Sequence, residues 1–362
     1  MRTNDQCLGR LLVLALLAGA LAAVPLAAGS VTWREILRQP APWYGGPDAR
    51  RVAAAVLQYQ TDSGGWPKNH DMTVPPSAEF LAEQAPDHRA PTIDNDATTT
   101  QIEFLARVTT AGDDAGLRPA ILRGLDYLLA AQYENGGWPQ YYPLRHGYYT
   151  HITFNDDAMV NALSVLQAVA SDRAPYAWVD SGRRTRAAAA VQRGIACILR
   201  CQVVVNGHKT VWCAQHDEVT LAPAPARRYE MVSLSGGESV GIVRFLMSLD
   251  APSPEVVDAV ESAVAWFRAS ALHGIRWETV PAPALPGGKD RVVVRDAAAP
   301  PIWARFYEIG SNRPIFSGRD SVIRYDVARI EHERRVGYAW YRTDARALLE
   351  RDYPAWRTRR KS

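Results

Sequence analysis

Residues 60–69 read Gln-Thr-Asp-Ser-Gly-Gly-Trp-Pro-Lys-Asn, and residues 132–141 read Gln-Tyr-Glu-Asn-Gly-Gly-Trp-Pro-Gln-Tyr. Each follows an apolar run. Each leads to an acidic cluster that opens another apolar run: Thr92-Ile-Asp-Asn-Asp-Ala97 in the first copy, Thr153-Phe-Asn-Asp-Asp-Ala158 in the second. A decayed third copy follows, with Gln202, Trp212 and Gln215, then Gly236-Gly-Glu-Ser239. Paired glycines break a helix and the following proline prevents its return. A repeated helix–turn–helix unit stacks on its neighbours and places equivalent loops side by side. The expected fold is therefore mainly α, an (α/α) toroid of about three helix pairs.

Apolar periodicity predicts helices over residues 50–60, 98–109, 120–132, 158–170, 184–201, 238–249 and 254–271, with another over 338–351. Four prolines between 73 and 91 predict an irregular loop there. Strand signals are few, the best at residues 209–212 and 291–294. The loop-rich C-terminal region from about 275 is expected to carry a little β structure and to pack on the ring rather than extend it.

The 362 residues are 47% hydrophobic and 22% charged, an ordinary globular composition. A net charge of +3 gives no reason to invoke nucleic acid. Arg2 and Arg10 flank the start of Leu11-Leu-Val-Leu-Ala-Leu-Leu17, and small residues run to Ser30, the layout of an export signal. Residues 31–362 are then one catalytic domain, expected to be secreted or periplasmic and monomeric. Cys197 and Cys201 lie one helical turn apart, which suits burial. A Cys201–Cys213 bridge stays open in an oxidising compartment. Glu331-His-Glu-Arg-Arg335 lacks the second histidine of a zinc-protease helix.

Asp94-Asn95-Asp96 and Asn155-Asp156-Asp157 each precede a helix. Such residues ordinarily cap helices, but one cap needs one of them. Three in a row, twice, supply the carboxylate and amide oxygens that a hard cation such as calcium takes. Trp66 and Trp138 either plug the core or stack on a sugar ring. Lys68 stands where the second copy has Gln140, and suits an anion. Arg227 and Arg228 sit in a proline-broken segment. Arg305, Arg313 and Arg319 share an aperiodic stretch with aromatics, which suits recognition of carboxylates by guanidinium forks.

Taken in order, Gly64–Asn69, Thr92–Thr98, Thr153–Ala158, Thr210–Asp217, Ser233–Ser239, the 304–320 block and Gly337-Tyr-Ala-Trp340 resemble pectate lyases of the tenth polysaccharide-lyase family, over about residues 35 to 355. That resemblance implies calcium-dependent anti β-elimination on polygalacturonate in an (α/α) toroid, giving 4,5-unsaturated oligogalacturonides. It implies Asp94, Asn95 and Asp156 as the calcium and substrate shell and Arg227, with Arg228 beside it, as the base at C5. Arg305 and Arg319 become ligands for uronate carboxylates, with Lys68, Arg313 and Trp66 as further substrate contacts. Two rivals remain. Residues 124–138 also resemble the glutamine–tryptophan repeat of terpenoid cyclases, another helical toroid. A toroidal glycoside hydrolase would use Asp94 and Asp156 as its paired carboxylates. Arginine-rich segments and the export signal favour an enzyme of anionic polymers.

Overall fold

A computed structural model describes residues 31–82 and 86–360. The expected export signal lies outside them. Seven longer helices organise the chain: α1 Pro47–Gln58, α2 Thr99–Gly112, α3 Arg118–Ala131, α4 Ala158–Ala170, α5 Ser181–Cys201, α6 Glu238–Met247 and α7 Pro254–Ala269. Their starts follow local chemistry. Proline occupies the first turn of α1, α3 and α7, where its missing N–H costs nothing. The Asp180 carboxylate accepts from Arg183 N at 2.9 Å to cap α5, and Ser253 caps α7 at Val256 N.

The helices form two rows. α2 packs on α4 and α4 on α6, while α3 packs on α5 and α5 on α7, and α2–α3, α4–α5 and α6–α7 pair across the rows. α1 packs on α2 at one end. At the other end a C-terminal helical run packs on α6 and α7, comprising Asp344–Ala347, a π-type turn Leu348–Asp352 and Tyr353–Arg359.

The expected closed toroid is corrected here. Among the described residues no extended packing joins α6 or α7 back to α1 or α2, so the rows form an open array rather than a ring. Nor does the C-terminal region merely lie against three pairs, since its helical run supplies a partner to α7. The helix expected over 338–351 is also displaced: Tyr341–Arg342 is a strand paired with Trp303–Ala304, and helix begins only at Asp344. The irregular loop expected between 73 and 91 contains short helices at Ala78–Ala82 and Pro86–Arg89. Strands do occur near both expected positions, at His208–Lys209 and in the hairpin Ile275–Pro281 with Lys289–Arg295.

Four tryptophans show how the sequence repeat becomes architecture. Trp66, Trp138, Trp212 and Trp303 are at most 1% exposed. Their indole N–H groups donate to Val56 O, Leu128 O, Ile198 O and Phe267 O at 2.7–2.9 Å. Each acceptor lies in the last turn or so of α1, α3, α5 or α7, so each indole ties down a carbonyl at a helix end while filling the core. The glutamines repeat too. Gln60, Gln132 and Gln202 donate both to their own turn and to the next helix but one, α3, α5 or α7, at Ala120 O, Ala190 O and Ala259 O.

The paired glycines permit this docking. Gly64 (φ 95°) and Gly136 (φ 93°) leave no room for a Cβ, which would lie 2.4 Å from Arg123 O and 2.1 Å from Arg193 O. Cys197, Cys201 and Cys213 are buried free thiols, and no Cys201–Cys213 bridge forms. No helix of the described residues is long and apolar enough to cross a membrane.

Candidate active site

The two acidic turns have nearly the same backbone. Asn95 and Asp96 adopt φ 51° and 61°, and Asp156 and Asp157 adopt φ 49° and 59°. Left-handed backbone at a residue with a Cβ costs about 1–2 kcal/mol, and such strain concentrates at functional sites. The side chains are not helix caps: neither α2 nor α4 has a side-chain hydrogen bond from its N-cap residue. The carboxylates are thus available for other work.

Short backbone ladders set the turns side by side. Thr92 bridges to Tyr141, Ile152–Thr153 pairs with Gln215–His216, and Leu234–Ser235 pairs with Phe306–Tyr307. Every acidic turn is thereby stitched to the next unit, which brings distant acids and bases into one network.

At its centre, Asn155 Nδ2 donates to Asp156 Oδ2 at 2.8 Å and to Asp94 Oδ1 at 3.4 Å. Lys68 Nζ donates to Asp94 Oδ2 and lies 5.6 Å from the centre of the Tyr141 ring. Arg305 Nη2 donates to Asn155 Oδ1 (3.1 Å), Asp156 Oδ1 (3.3 Å) and Glu238 Oε1. Burial would raise Glu238, yet the Arg305 charge and the Ser235 hydroxyl hold it below the ordinary range. Burial pushes Asp156 up; Arg305 draws it back, and the charges of Glu238 and Asp94 add to the net rise. Asp157 is pushed up to about 7 by burial, with Glu238 and Asp96 contributing. Burial opposes the Lys68 charge, but Asp94 holds it above the usual value. The site thus concentrates negative charge and compensates it with two tethered cations.

Arg227 shares the Tyr338 ring with Arg305, and its charge acts on the Asp156 carboxylate. Its Nε donates to Glu230 Oε2 at 2.8 Å, its backbone N to the same oxygen at 3.1 Å, and its Nη2 to Glu230 Oε1. Burial works against the guanidinium charge, and Glu230 overcomes it, so Arg227 is raised. Glu230 also accepts from Tyr338 Oη at 2.6 Å. The Tyr338 ring centre lies 4.7 Å from the Arg305 guanidinium carbon and 5.8 Å from that of Arg227.

The structure therefore gathers Lys68, Asp94, Asp156, Arg305 and Arg227. Asn95 is exposed at the edge, where its amide donates to Asn69 Oδ1 at 2.8 Å. A cavity of about 1300 Å³ between α2 and α4 opens there and is lined by Lys68, Asn69, Asn95, Asp96, Asp156 and Asn161 among others.

Other expectations need correction. Trp66 is fully buried and cannot stack on a sugar. Arg305 is 4% exposed and its Nη2 is committed to three partners, so a uronate would reach it only once those partners turn elsewhere. Arg313 packs over Tyr325 at 3.7 Å, outside the network. Arg319 is exposed and pairs with Glu333. Sequence reasoning missed Glu230, Glu238 and Tyr338. Only Glu238, at the decayed third turn, had a repeat signal that could have found it.

Comparison with known proteins identifies the family. The family profile described as Pectic acid lyase matches residues 60–349. Two solved structures are similar, both of a family 10 polysaccharide lyase from Cellvibrio cellulosa. One is an aspartate-to-alanine mutant in complex with trigalacturonic acid, 36% identical, with a TM-score of 0.72 over 88% of this chain and 97% of that one. The other is 37% identical, with a TM-score of 0.73 over 86% and 94%. No curated protein matches. By profile, identity and coverage, the chain belongs to the pectic acid lyase family and is a pectate lyase of the polysaccharide lyase class.

Proposed function

We propose that the protein is a secreted or periplasmic, monomeric enzyme that cleaves polygalacturonate by calcium-dependent anti β-elimination. The observation that carries this reading is the meeting of two duplicated acidic turns, compensated by Lys68 and Arg305, with Arg227 joined to Arg305 through the Tyr338 ring. A polyanionic sugar needs cations where negative charge grows, and an acidic nest facing guanidinium groups supplies them in two ways.

The residues present fit calcium. Asp94, Asn95 and Asp156 offer carboxylate and amide oxygens, the ligands of a hard cation. Asn155 and Arg305 bridge the carboxylates of Asp94, Asp156 and Glu238, so negative charge is crowded there, and burial with the charges of Glu238 and Asp94 raises Asp156. When bound, calcium would withdraw electron density from the uronate carboxylate and acidify the C5 proton. Lys68 and Arg305, relieved of their acids, would then face neighbouring uronate carboxylates.

In the reaction, the C5–H bond breaks and its electrons form the C4=C5 double bond, while the C4–O bond breaks and its oxygen leaves with the other sugar. In this reading Arg227 takes the proton. Arginine is protonated at neutral pH, and its Glu230 pair holds that proton more firmly still, leaving less of the free base. Turnover is therefore expected to rise toward alkaline pH.

The test is turnover of polygalacturonate by purified protein with calcium and after exhaustive chelation. The expected result is a near-ultraviolet-absorbing 4,5-unsaturated product that disappears on chelation. Cleavage without that absorbance would mean hydrolysis, and undiminished activity after chelation would remove the metal.

A further inference from the structure

Glu230 has no counterpart in the duplicated turns, and the reaction as written does not use it. It is nonetheless 4% exposed, at the meeting point of four donors: Arg227 N, Nε and Nη2, and Tyr338 Oη. A buried carboxylate that accepts this many hydrogen bonds fixes the plane of the guanidinium it grips. Both of its oxygens face the Nε–Nη2 edge. Nη1 makes no hydrogen bond to a described residue, and the Arg227 side chain keeps 41% of its surface.

We propose that Glu230, backed by Tyr338, is the positioning residue that turns the Nη1 edge of Arg227 toward the C5 proton. This rests on the reading of Arg227 as the proton acceptor. Tyr338 suits the role because its hydroxyl steadies Glu230 while its ring spaces Arg227 from Arg305. The groups around Arg227 are few. Glu230, Tyr229 and Tyr338 touch it, Tyr148 and Asp156 feel its charge, and Arg334 shares the Tyr229 ring. Of these, Glu230 alone is a carboxylate in contact with the guanidinium.

The experiment is steady-state kinetics of full-length Glu230→Gln on polygalacturonate across pH. Glutamine keeps one acceptor oxygen but loses the second and the charge. The expected result is a fall in kcat of about tenfold or more with little change in KM. The alkaline rise of the profile should move to lower pH, because a guanidinium without its carboxylate gives up its proton more readily. A purely structural role would not move that profile. Tyr338→Phe should give a smaller loss of kcat in the same direction. Should Glu230→Gln fail to fold, Glu230→Asp decides, since it keeps the charge on a shorter arm and should lose kcat without the pH displacement. Wild-type kcat and profile in the folded Gln or Asp variant would overturn the proposal. Arg227→Ala in the same assay separates the two readings: if it still turns over, Arg227 is not the base, whereas an inactive Arg227→Ala beside a wild-type-like Glu230→Gln removes Glu230 alone.

Discussion

Asp94 and Asp156, 62 positions apart in sequence, are joined by one amide: Asn155 Nδ2 donates to both, at 3.4 Å and 2.8 Å. A neutral donor bridging two carboxylates, with a lysine on one and an arginine on the other, is how a charged nest is kept folded before its ligands arrive.

If Arg227 takes the C5 proton, Arg227→Ala should lower kcat by about 10²–10⁴-fold, the usual size of a lost general base. Binding of trigalacturonate in the presence of calcium should stay close to wild type. Calorimetry beside the ultraviolet assay checks both, and wild-type-like turnover would exclude Arg227 from the chemistry.

Lys68 competes with any cation at Asp94, because its ammonium is already bonded there. Lys68→Met should therefore tighten calcium binding, by roughly two- to fivefold, the usual net worth of a solvent-accessible ion pair. It should weaken uronate binding at the same time. Titration of calcium without sugar reads the first effect, and an unchanged or weaker affinity would count against it.

The glycine turns should be intolerant. Gly136→Ala places a Cβ 2.1 Å from Arg193 O on a backbone with φ 93°. A loss of stability of about 1–3 kcal/mol is expected from the strain, measured by denaturant unfolding. Gly147 also has positive φ but nothing near its Cβ, so Gly147→Ala should cost less.

His216 makes stability depend on pH. It is fully buried, with Cys213 N donating to Nε2 at 3.2 Å and Nδ1 2.9 Å from Leu221 O, an arrangement that needs the neutral ring. Burial lowers its pKa to about 4 from 6.5. A depressed folded value gives stability that is present above about 6.5 and lost as pH falls through about 4. The loss approaches about 3 kcal/mol. Unfolding of wild type and His216→Gln across pH 4–7.5 should show a difference that shrinks on acidification, and a constant difference would contradict the assignment.

Much of this was legible in the sequence because it is local. Gly-Gly-Trp-Pro encodes a left-handed turn, a core plug and a helix stop within a few residues, and apolar periodicity located the seven long helices. The fourth tryptophan was not visible. Trp66 and Trp138 lie ten residues beyond their acceptors, whereas Trp303 lies 36 beyond Phe267, with a hairpin between. Whether stacked units close into a ring depends on the rotation from unit to unit, which periodicity does not carry. In the site, residue types and spacing marked the two acidic turns and the Arg227–Arg228 pair, and the family resemblance singled out Asp94, Asp156 and Arg227. Burial decided the rest: it took Trp66 into the core and tied Arg305 to the acids. Tyr338 and Glu230 meet across 108 positions, a contact with no local signature.

The most direct measurement is calorimetric titration of calcium, in the presence of trigalacturonate, into wild type, Asp94→Ala and Asp156→Ala. The account predicts saturable binding in wild type that is lost in each single variant, because the two turns hold one ion together. Equal affinity in all three, or loss in only one, would contradict it.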